Sequence, residues 1–193
     1  MTAALAFDGV ACMRGGRTVF ANLSFDLKPG DAGVVSGPNG VGKSSLVRIA
    51  AGLLAPEGGV VHVSGGRALL GESSALDRDL TLVRALGFWA GIDGRADMLE
   101  EAMAAFDLLP IATIPVRLLS TGQRRRAGLA RIVASGADIW LLDEPANGLD
   151  ESAVAMLEAA IVVHRARGGI ALVATHTPIA IQSAQRIALG PVR

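Results

Sequence analysis

A glycine-rich run at positions 37–44 limits the possible folds of this chain more than any other part of its sequence. The run reads Gly37-Pro38-Asn39-Gly40-Val41-Gly42-Lys43-Ser44 and matches the pattern G-x-x-x-x-G-K-[ST]. A short apolar strand is predicted before it at Gly33–Ser36, and a helix closed by Gly52 is predicted after it at Ser44–Ala51. A strand, a glycine loop and a helix in this order predict a loop that binds phosphate groups.

The residue types in this loop suit a nucleoside triphosphate. Glycines let backbone N–H groups approach phosphates closely, and the positive end of the helix dipole faces the anion. Lys43 can reach the β- and γ-phosphates, and the Ser44 hydroxyl can bind magnesium. The alternative is a glycine-rich turn with a surface lysine, but the chain contains only two lysines, so a chance match is rare. We expect the nucleotide to contact Gly37, Pro38, Asn39, Gly40, Val41, Gly42, Lys43, Ser44 and Ser45.

Strands and helices alternate at both ends of the chain, which predicts an α/β fold with a mainly parallel sheet. Ile139–Leu142 and Ile170–Ala174 are predicted strands, and helices are predicted at about 122–134 and 152–167. Val60–Val63 lies between glycine pairs and is predicted to be one strand of a hairpin, within a small antiparallel part. Apolar residues from Met98 to Leu109 recur at helical spacing until Pro110. We therefore expect one domain over residues 1–193, with a helical insertion at about 72–135.

The composition excludes several classes of protein. Hydrophobic residues make up 51% of the chain, which excludes disorder, and 18 basic residues balance 18 acidic ones. This neutral balance predicts that nucleic acid is not a partner. The single Cys12 cannot form an internal disulfide and fits a reducing compartment. No apolar run approaches the roughly 18 residues that span a bilayer, so we expect neither a signal peptide nor a transmembrane segment.

Two carboxylates and a histidine follow predicted strands. Asp143 and Glu144 come directly after Ile139–Leu142, and His176 follows Ile170–Thr175. Since ligands bind beyond the carboxyl ends of parallel strands, all three are expected beside the glycine loop. Asp143 is then a candidate magnesium ligand, Glu144 a general base for water, and His176 a contact to the γ-phosphate or to Glu144. The alternatives are an ordinary exposed turn and a structural histidine, and structural roles are expected for the other two histidines, His62 and His164.

The segment Leu119-Ser120-Thr121-Gly122-Gln123 resembles the signature L-S-G-G-Q of ATP-binding-cassette (ABC) ATPases, with Thr121 replacing the first glycine. Leu142-Asp143-Glu144-Pro145 follows it, Asn147-Gly148-Leu149-Asp150 resembles the D-loop, and Thr175-His176 resembles the switch histidine of that family. In this order the motifs cover nearly the whole chain. The chain thus resembles an ABC nucleotide-binding domain of the P-loop NTPase class.

The resemblance implies an ATPase that uses ATP and Mg²⁺ and works as a head-to-tail dimer of two copies. Its implied contacts to the γ-phosphate of the second copy come from Ser120, Gly122 and Gln123, with Asp150 in the D-loop. A transmembrane subunit is the implied further partner, facing the Glu72–Asp79 loop and the region around Phe88-Trp89. The alternative for Trp89 is a purely structural role, in which its side chain packs inside the helical insertion. For Arg124–Arg126, we expect a solvated helix face for at least two of the three arginines.

Two positions depart from the family pattern. The adenine-stacking residue is usually aromatic, but Arg14 occupies its place; a guanidinium can also stack on a base, and an ordinary surface arginine is the open alternative. The Q-loop glutamine is missing, because the only glutamines are Gln123, Gln182 and Gln185. Ser73 aligns with it best, and Glu72 or Ser73 is the candidate for its magnesium contact.

Within the family, the chain is most similar to the CcmA-type ATPases of cytochrome c maturation. The points of likeness are the short length, Cys12-x-Arg14 near the start, and an end soon after His176. This likeness implies a CcmB-like membrane partner, haem handling, and a place on the cytoplasmic face of the inner membrane. The alternatives are the ATPase of another ABC transporter, a soluble ABC protein acting on nucleic acid, and a regulatory ABC protein with low turnover.

Overall fold

The computed structural model describes residues 2–190, which form eight β-strands in two sheets and five α-helices. The strands are β1 (Ala4–Arg14), β2 (Arg17–Leu27), β3 (Ala32–Ser36), β4 (Gly58–Ser64), β5 (Arg67–Leu70), β6 (Ile139–Asp143), β7 (Ile170–Ala174) and β8 (Gln185–Ala188). The helices are α1 (Lys43–Ala50), α2 (Leu82–Ile92), α3 (Leu99–Ala104), α4 (Thr121–Ala134) and α5 (Glu151–Ala166), with 3-10 turns at Ala96–Met98, Leu109–Ile111 and Val116–Leu118. None of the helices in residues 2–190 has the length and apolar character needed to cross a bilayer.

The central sheet is parallel throughout, in the order β5-β6-β7-β3-β8, and confirms the predicted α/β class. Strand β6 shows why its apolar run is needed: Trp140 and Leu142 pack into a core with helices α2–α5. Ile139 and Leu141 point the other way, into a core with α1 and the smaller sheet. A strand covered on both faces needs apolar side chains at consecutive positions rather than at alternate ones.

The smaller sheet is antiparallel, in the order β2-β1-β4. The predicted hairpin at Val60–Val63 is wrong, because β4 pairs with β1 through contacts such as Phe7↔Val61. The next strand along the chain, β5, leaves for the other sheet and pairs with β6. The glycines at 65 and 66 therefore form a crossing between sheets rather than a hairpin turn.

The region between β5 and β6 contains α2, α3 and α4. The helix predicted from Met98 to Leu109 is shorter than expected, since α3 ends at Ala104. Asp107 has φ = 52°, a left-handed conformation that interrupts a helix, and Leu109 is exposed at the start of a 3-10 turn. Phe106 and Leu108 remain buried in the helical core, so packing rather than helical periodicity decides the path of the chain here.

His164 has a structural role, as expected, near the start of β7. Its ring stacks on Trp140 with centroids 3.9 Å apart, and Nε2 donates to the Ile170 carbonyl oxygen at 3.2 Å. Burial lowers the pKa of His164 below its usual value, and Arg167 acts in the same direction. The Ile170 hydrogen bond and the contacts to Asp138 act to raise that pKa. The folded protein therefore holds this imidazole in its neutral form at neutral pH.

We predict that His164 makes the fold sensitive to mild acid. Because the folded-state pKa lies below the unfolded one, the unfolded chain binds a proton first, and stability falls as the pH drops below about 6.5. The His164→Phe variant keeps the stacking on Trp140 but cannot titrate. Thermal midpoints measured from pH 7.5 to 5 should decline more steeply for the unmutated protein than for this variant. Parallel declines would show that His164 is not responsible.

Candidate functional site

The glycine loop joins the end of β3 to the start of α1, and its conformation depends on glycine. Gly37, Gly40 and Gly42 all have positive φ angles, and Gly42 at φ = 109° precedes the first helical residue. A Cβ atom on Gly42 would clash with a methyl carbon of Val19, so strand β2 packs directly against the loop. The loop is therefore constrained both by its backbone angles and by contact with the antiparallel sheet.

Lys43 folds back across this loop. Its Nζ donates to the carbonyl oxygens of Gly37 at 2.9 Å and Pro38 at 3.3 Å, and only 6% of the side chain is exposed. The same Nζ lies 3.8 Å from Oε1 of Glu144. The ammonium group is thus held inside the concave face of the loop, where it can exchange these oxygens for phosphate oxygens.

Ser44 and Asp143 form the second contact of the site. The Ser44 hydroxyl donates to Oδ1 of Asp143 at 3.0 Å, joining α1 to the end of β6. Burial raises the pKa of Asp143, although the Ser44 hydrogen bond and the charges of Arg48 and Arg125 act in the opposite direction. A half-buried carboxylate beside a hydroxyl suits a hard divalent cation, because the cation favours the ionised form of the carboxyl.

Glu144 is held by three groups. Its backbone N–H donates to the Ala174 carbonyl oxygen at 2.7 Å, and Oε2 accepts from the His176 backbone N–H at 3.2 Å and from Nδ1 of the His176 ring at 2.8 Å. The residue has φ = 47°, which costs about 1–2 kcal/mol for a side chain of this kind. Such strain persists only where the surroundings hold it, and it occurs often at sites where a side chain must point in one direction.

Arg125 supports the Asp143–Glu144 turn through hydrogen bonds to its main chain, a role that the sequence analysis does not predict. The side chain is buried, and its guanidinium donates to the carbonyl oxygens of Gly71, Asp143, Glu144 and Pro145. Burial lowers the pKa of Arg125, while the charges of Asp143 and Glu144 raise it. A signal was present in the sequence, since Arg125, Leu129 and Ile132 follow the i, i+4, i+7 spacing of a buried helix face.

The expectation that at least two of the three arginines form a solvated face is wrong. Arg124 is half-buried and donates to the Leu119 carbonyl oxygen. Arg126 is also half-buried and donates to the Phe106 carbonyl oxygen at 2.8 Å. Carbonyl groups at chain turns need donors, and a guanidinium supplies several in one plane, which explains three consecutive arginines without a solvated surface.

The signature segment begins helix α4. Ser120 is its N-cap and forms a reciprocal capping box with Gln123, with distances of 3.1 Å and 2.8 Å. Gly122 faces the Gly148 carbonyl oxygen so closely that an added Cβ would lie 3.1 Å from it. Asp150 caps α5 by accepting from Ala153 N–H and the Ser152 hydroxyl, both at 2.8 Å, and these bonds lower the pKa of Asp150.

A cavity of about 660 Å³ opens beside the glycine loop and brings part of the predicted site together. Ser44, Asp143 and Glu144 line it, together with the segment that replaces the Q-loop, including Glu72 and Ser73. Its wall also includes Thr121 and Gly148, but not Ser120, Gly122, Gln123 or Asp150. Within residues 2–190, no three His, Cys, Asp or Glu side chains form a metal-binding group, so Glu72 does not join the two site carboxylates in one.

Arg14 lies at the exposed end of β1, where it pairs with Arg17 across the turn to β2. Burial raises the pKa of the Cys12 thiol on the same strand, and the charge of Arg14 acts in the opposite direction. Adenine stacking by this arginine stays a prediction.

Comparisons with known proteins agree with this geometry. A family model described as ABC transporter matches residues 20–147. A protein of Sphingopyxis alaskensis named cytochrome c biogenesis ATP-binding export protein CcmA is 54% identical over 98% of both chains. Its namesake from Zymomonas mobilis is 51% identical over 90% of this chain and 79% of its own. The chain belongs to the ABC transporter family, among its CcmA-type ATPases.

The fold of this ABC ATPase is also found in solved structures of low sequence identity. The structure of cbiO1 from Clostridium perfringens, part of the ABC transporter complex cbiONQ, superposes with a TM-score of 0.77 at 21% identity. The match covers 92% of this chain and 80% of the other. Family membership implies nucleotide binding and ATP hydrolysis, and it confirms the resemblance drawn from the signature, D-loop and switch motifs.

We predict that Arg125 stabilises the ATPase through its four carbonyl partners. Arg125→Ala would leave buried carbonyl groups without donors and should lower the free energy of unfolding by about 3 kcal/mol. Chemical denaturation would measure the change, with Arg124→Ala on the same helix as the control of smaller effect. Equal losses for the two variants would contradict the special position given to Arg125.

Proposed function

We propose that this chain is the ATP-hydrolysing subunit of a membrane complex of cytochrome c maturation, in which ATP hydrolysis drives the handling of haem. One observation carries the proposal: Lys43, Ser44, Asp143, Glu144 and His176 are joined by contacts of 2.8–3.8 Å at one edge of the sheet. The identity of 54% to a protein named as a cytochrome c biogenesis export ATPase supports the choice of process.

The loop residues Gly37, Pro38, Asn39, Gly40, Val41, Gly42, Lys43, Ser44 and Ser45 would bind the phosphates of ATP. Ser44 and Asp143 would hold Mg²⁺, since both present hard oxygen ligands and burial raises the pKa of the Asp143 carboxyl, an effect that a divalent cation would offset. A bound magnesium ion would neutralise charge on the β- and γ-phosphates. Arg14 is the proposed stacking partner of the adenine.

The contacts of Glu144 suggest how ATP makes this residue a base. His176 holds Oε2, and Lys43 lies 3.8 Å from Oε1. A γ-phosphate would attract the Lys43 ammonium group and leave Oε1 free to accept a proton from the attacking water. His176 would keep the carboxylate in position during this step. The base is thus paired with a cation before the substrate arrives and released by the substrate itself.

Two copies would act together, with Ser120, Gly122, Gln123 and Asp150 of one copy facing the nucleotide of the other. Ser120 and Gln123 cap the N-terminus of α4, Gly122 lies in its first turn, and Asp150 caps α5. Backbone N–H groups at helix starts suit a phosphate group. They do not line the cavity beside the glycine loop of their own copy, which is compatible with a role across a dimer interface.

A CcmB-like transmembrane subunit is the proposed membrane partner, at the cytoplasmic face of the inner membrane. Phe88 and Ile92 lie four residues apart on α2 and are 59% and 62% exposed, so one face of this helix presents two large apolar side chains. We further propose a single domain over residues 1–193 with its helical insertion at about 72–135. Met1 and residues 191–193 of that range lie outside the described residues.

We predict that Glu144→Gln will bind ATP but hydrolyse it at least about 100-fold more slowly, because an amide cannot act as a general base. Phosphate release under saturating Mg–ATP would measure the rate, and equilibrium binding of ATP would show the site intact. Glu100→Gln, on the exposed part of α3, is a matched control with an expected normal rate. Turnover by Glu144→Gln at the unmutated rate would refute the proposed catalytic centre.

We also predict opposite effects of Asp143→Asn on stability and on magnesium binding. Because the folded protein raises the pKa of Asp143, ionisation of this carboxyl at neutral pH lowers the stability of the nucleotide-free protein. The amide can still accept from Ser44, so the variant should have an equal or higher thermal midpoint without ligands. The rise in midpoint on adding Mg–ATP should be smaller than in the unmutated protein. A variant that melts lower without ligands and responds normally to Mg–ATP would contradict both parts.

A further inference from the structure

The segment from Gly71 to Asp79 lacks the family's glutamine but is fixed in place by other contacts. At its start, the Gly71 carbonyl oxygen accepts from Nη1 of Arg125 at 2.7 Å. In its middle, the Ala75 carbonyl oxygen accepts from the indole N–H of Trp89 at 2.7 Å. Glu72, Ser73 and other residues between these contacts line the cavity that holds Ser44, Asp143 and Glu144. The segment is therefore a wall of the proposed catalytic cavity, and these two hydrogen bonds help to hold the part that contains Glu72 and Ser73.

The backbone conformation of Ala75 is strained and needs a contact from another part of the chain to hold it. Its φ of 55° lies in the left-handed region, which is unfavourable for alanine by about 1–2 kcal/mol. The Ala75 N–H donates to the Ser73 hydroxyl oxygen at 3.3 Å, so this strained residue also sets the turn that presents Ser73. The hydrogen bond from Trp89 is a contact from outside the segment that holds the main chain of this turn at Ala75.

Trp89 is itself held in position from the signature helix. The Arg131 guanidinium of α4 lies 5.3 Å from the centroid of the Trp89 ring, and its Nη2 donates to the Leu69 carbonyl oxygen at 2.6 Å. Leu69 belongs to β5, the strand that leads directly into the segment. The indole thus rests on an arginine that is fixed to the base of the same loop, which leaves it little freedom to turn away from Ala75.

We propose that Trp89 is a positioning residue for ATP hydrolysis in this protein. Its indole N–H holds Ala75, and through it the turn with Ser73, against the cavity where the family pattern places a glutamine. The proposal rests on the proposed role of the cavity that contains Ser44, Asp143 and Glu144. It replaces the interpretation of Trp89 as a side chain that only packs the insertion.

The first test is Trp89→Phe, which keeps an aromatic ring beside Arg131 and removes the N–H donor. We expect kcat for ATP hydrolysis to fall about tenfold, equivalent to about 1.4 kcal/mol of activation free energy. The KM for ATP should stay within about twofold, because the glycine loop is untouched, and the Mg²⁺ concentration for half-maximal activity should rise. Arg84→Ala is the matched control, since Arg84 is exposed on the same helix α2 and has no role in the proposed site. This control should keep its basal kcat.

A second variant separates loop positioning from simple packing. Glycine adopts a positive φ without the penalty of alanine, so adding Ala75→Gly to Trp89→Phe should restore at least about threefold of the lost kcat. A packing defect in α2 would not respond to a change in an exposed loop residue. Failure of this rescue, a normal kcat in Trp89→Phe, or an equal loss in Arg84→Ala would overturn the proposal.

The Glu144→Gln variant distinguishes a wrong role for Trp89 from a wrong assignment of the catalytic cavity. If Glu144→Gln is inactive and Trp89→Phe is normal, the catalytic cavity stands and only the role of Trp89 is wrong. If Glu144→Gln retains turnover, the cavity is not the catalytic centre, and the positioning role falls with it.

Discussion

The parallel register of β3, β7 and β6 is the constraint on which the site depends. Val35 lies opposite Ala174, and Ala174 lies opposite Asp143, so the three strands end at the same level. The glycine loop, the His176 turn and the Asp143–Glu144 turn therefore leave one edge of the sheet together. Because side chains of neighbouring strand ends are a few ångströms apart, residues separated by about a hundred positions meet without long flexible connections.

The site balances charge internally. Lys43 and Arg125 provide two cations, and Asp143 and Glu144 provide two carboxylates, with Lys43 and Arg125 both buried. Arg125 contacts the main chain of the acidic turn rather than its carboxylates, so it compensates charge while leaving the carboxylate oxygens available. The cost of this arrangement appears at Asp143, whose raised pKa reports a carboxyl that burial disfavours in its ionised form. A site that favours a cation in this way is less stable without one.

The local patterns of the sequence predict three of the five central strands, β3, β6 and β7, and the helices α1, α4 and α5, but they leave out β5 and β8. A buried parallel strand needs a continuous apolar run, and a phosphate loop needs glycine at fixed places, so both leave clear signals. Contacts between residues that are distant in the sequence leave weaker signals. The glycines after β4 suggested a hairpin, but strand pairing is decided by the sheet to which each strand packs. The charge of Arg125 favours a solvated side chain, whereas its spacing on α4 matches the buried face of that helix. The hydrogen bond from Trp89 to Ala75 joins a helix to a loop, and no sequence motif predicts it.

The region between β5 and β6 meets the edge of the sheet that carries the candidate site through contacts of two kinds. Arg125 joins α4 to the acidic turn by hydrogen bonds to main-chain oxygens, which fix position but do not depend on the nucleotide. The segment after β5 meets the cavity through small polar side chains such as Ser73 and Ser74, which can change partners at little cost. Both cavity walls are nevertheless tied to one side chain, because the Arg125 guanidinium also donates to the Gly71 carbonyl oxygen at the start of that segment. Arg125 of α4 therefore fixes the acidic turn and the opposite wall of the cavity relative to each other.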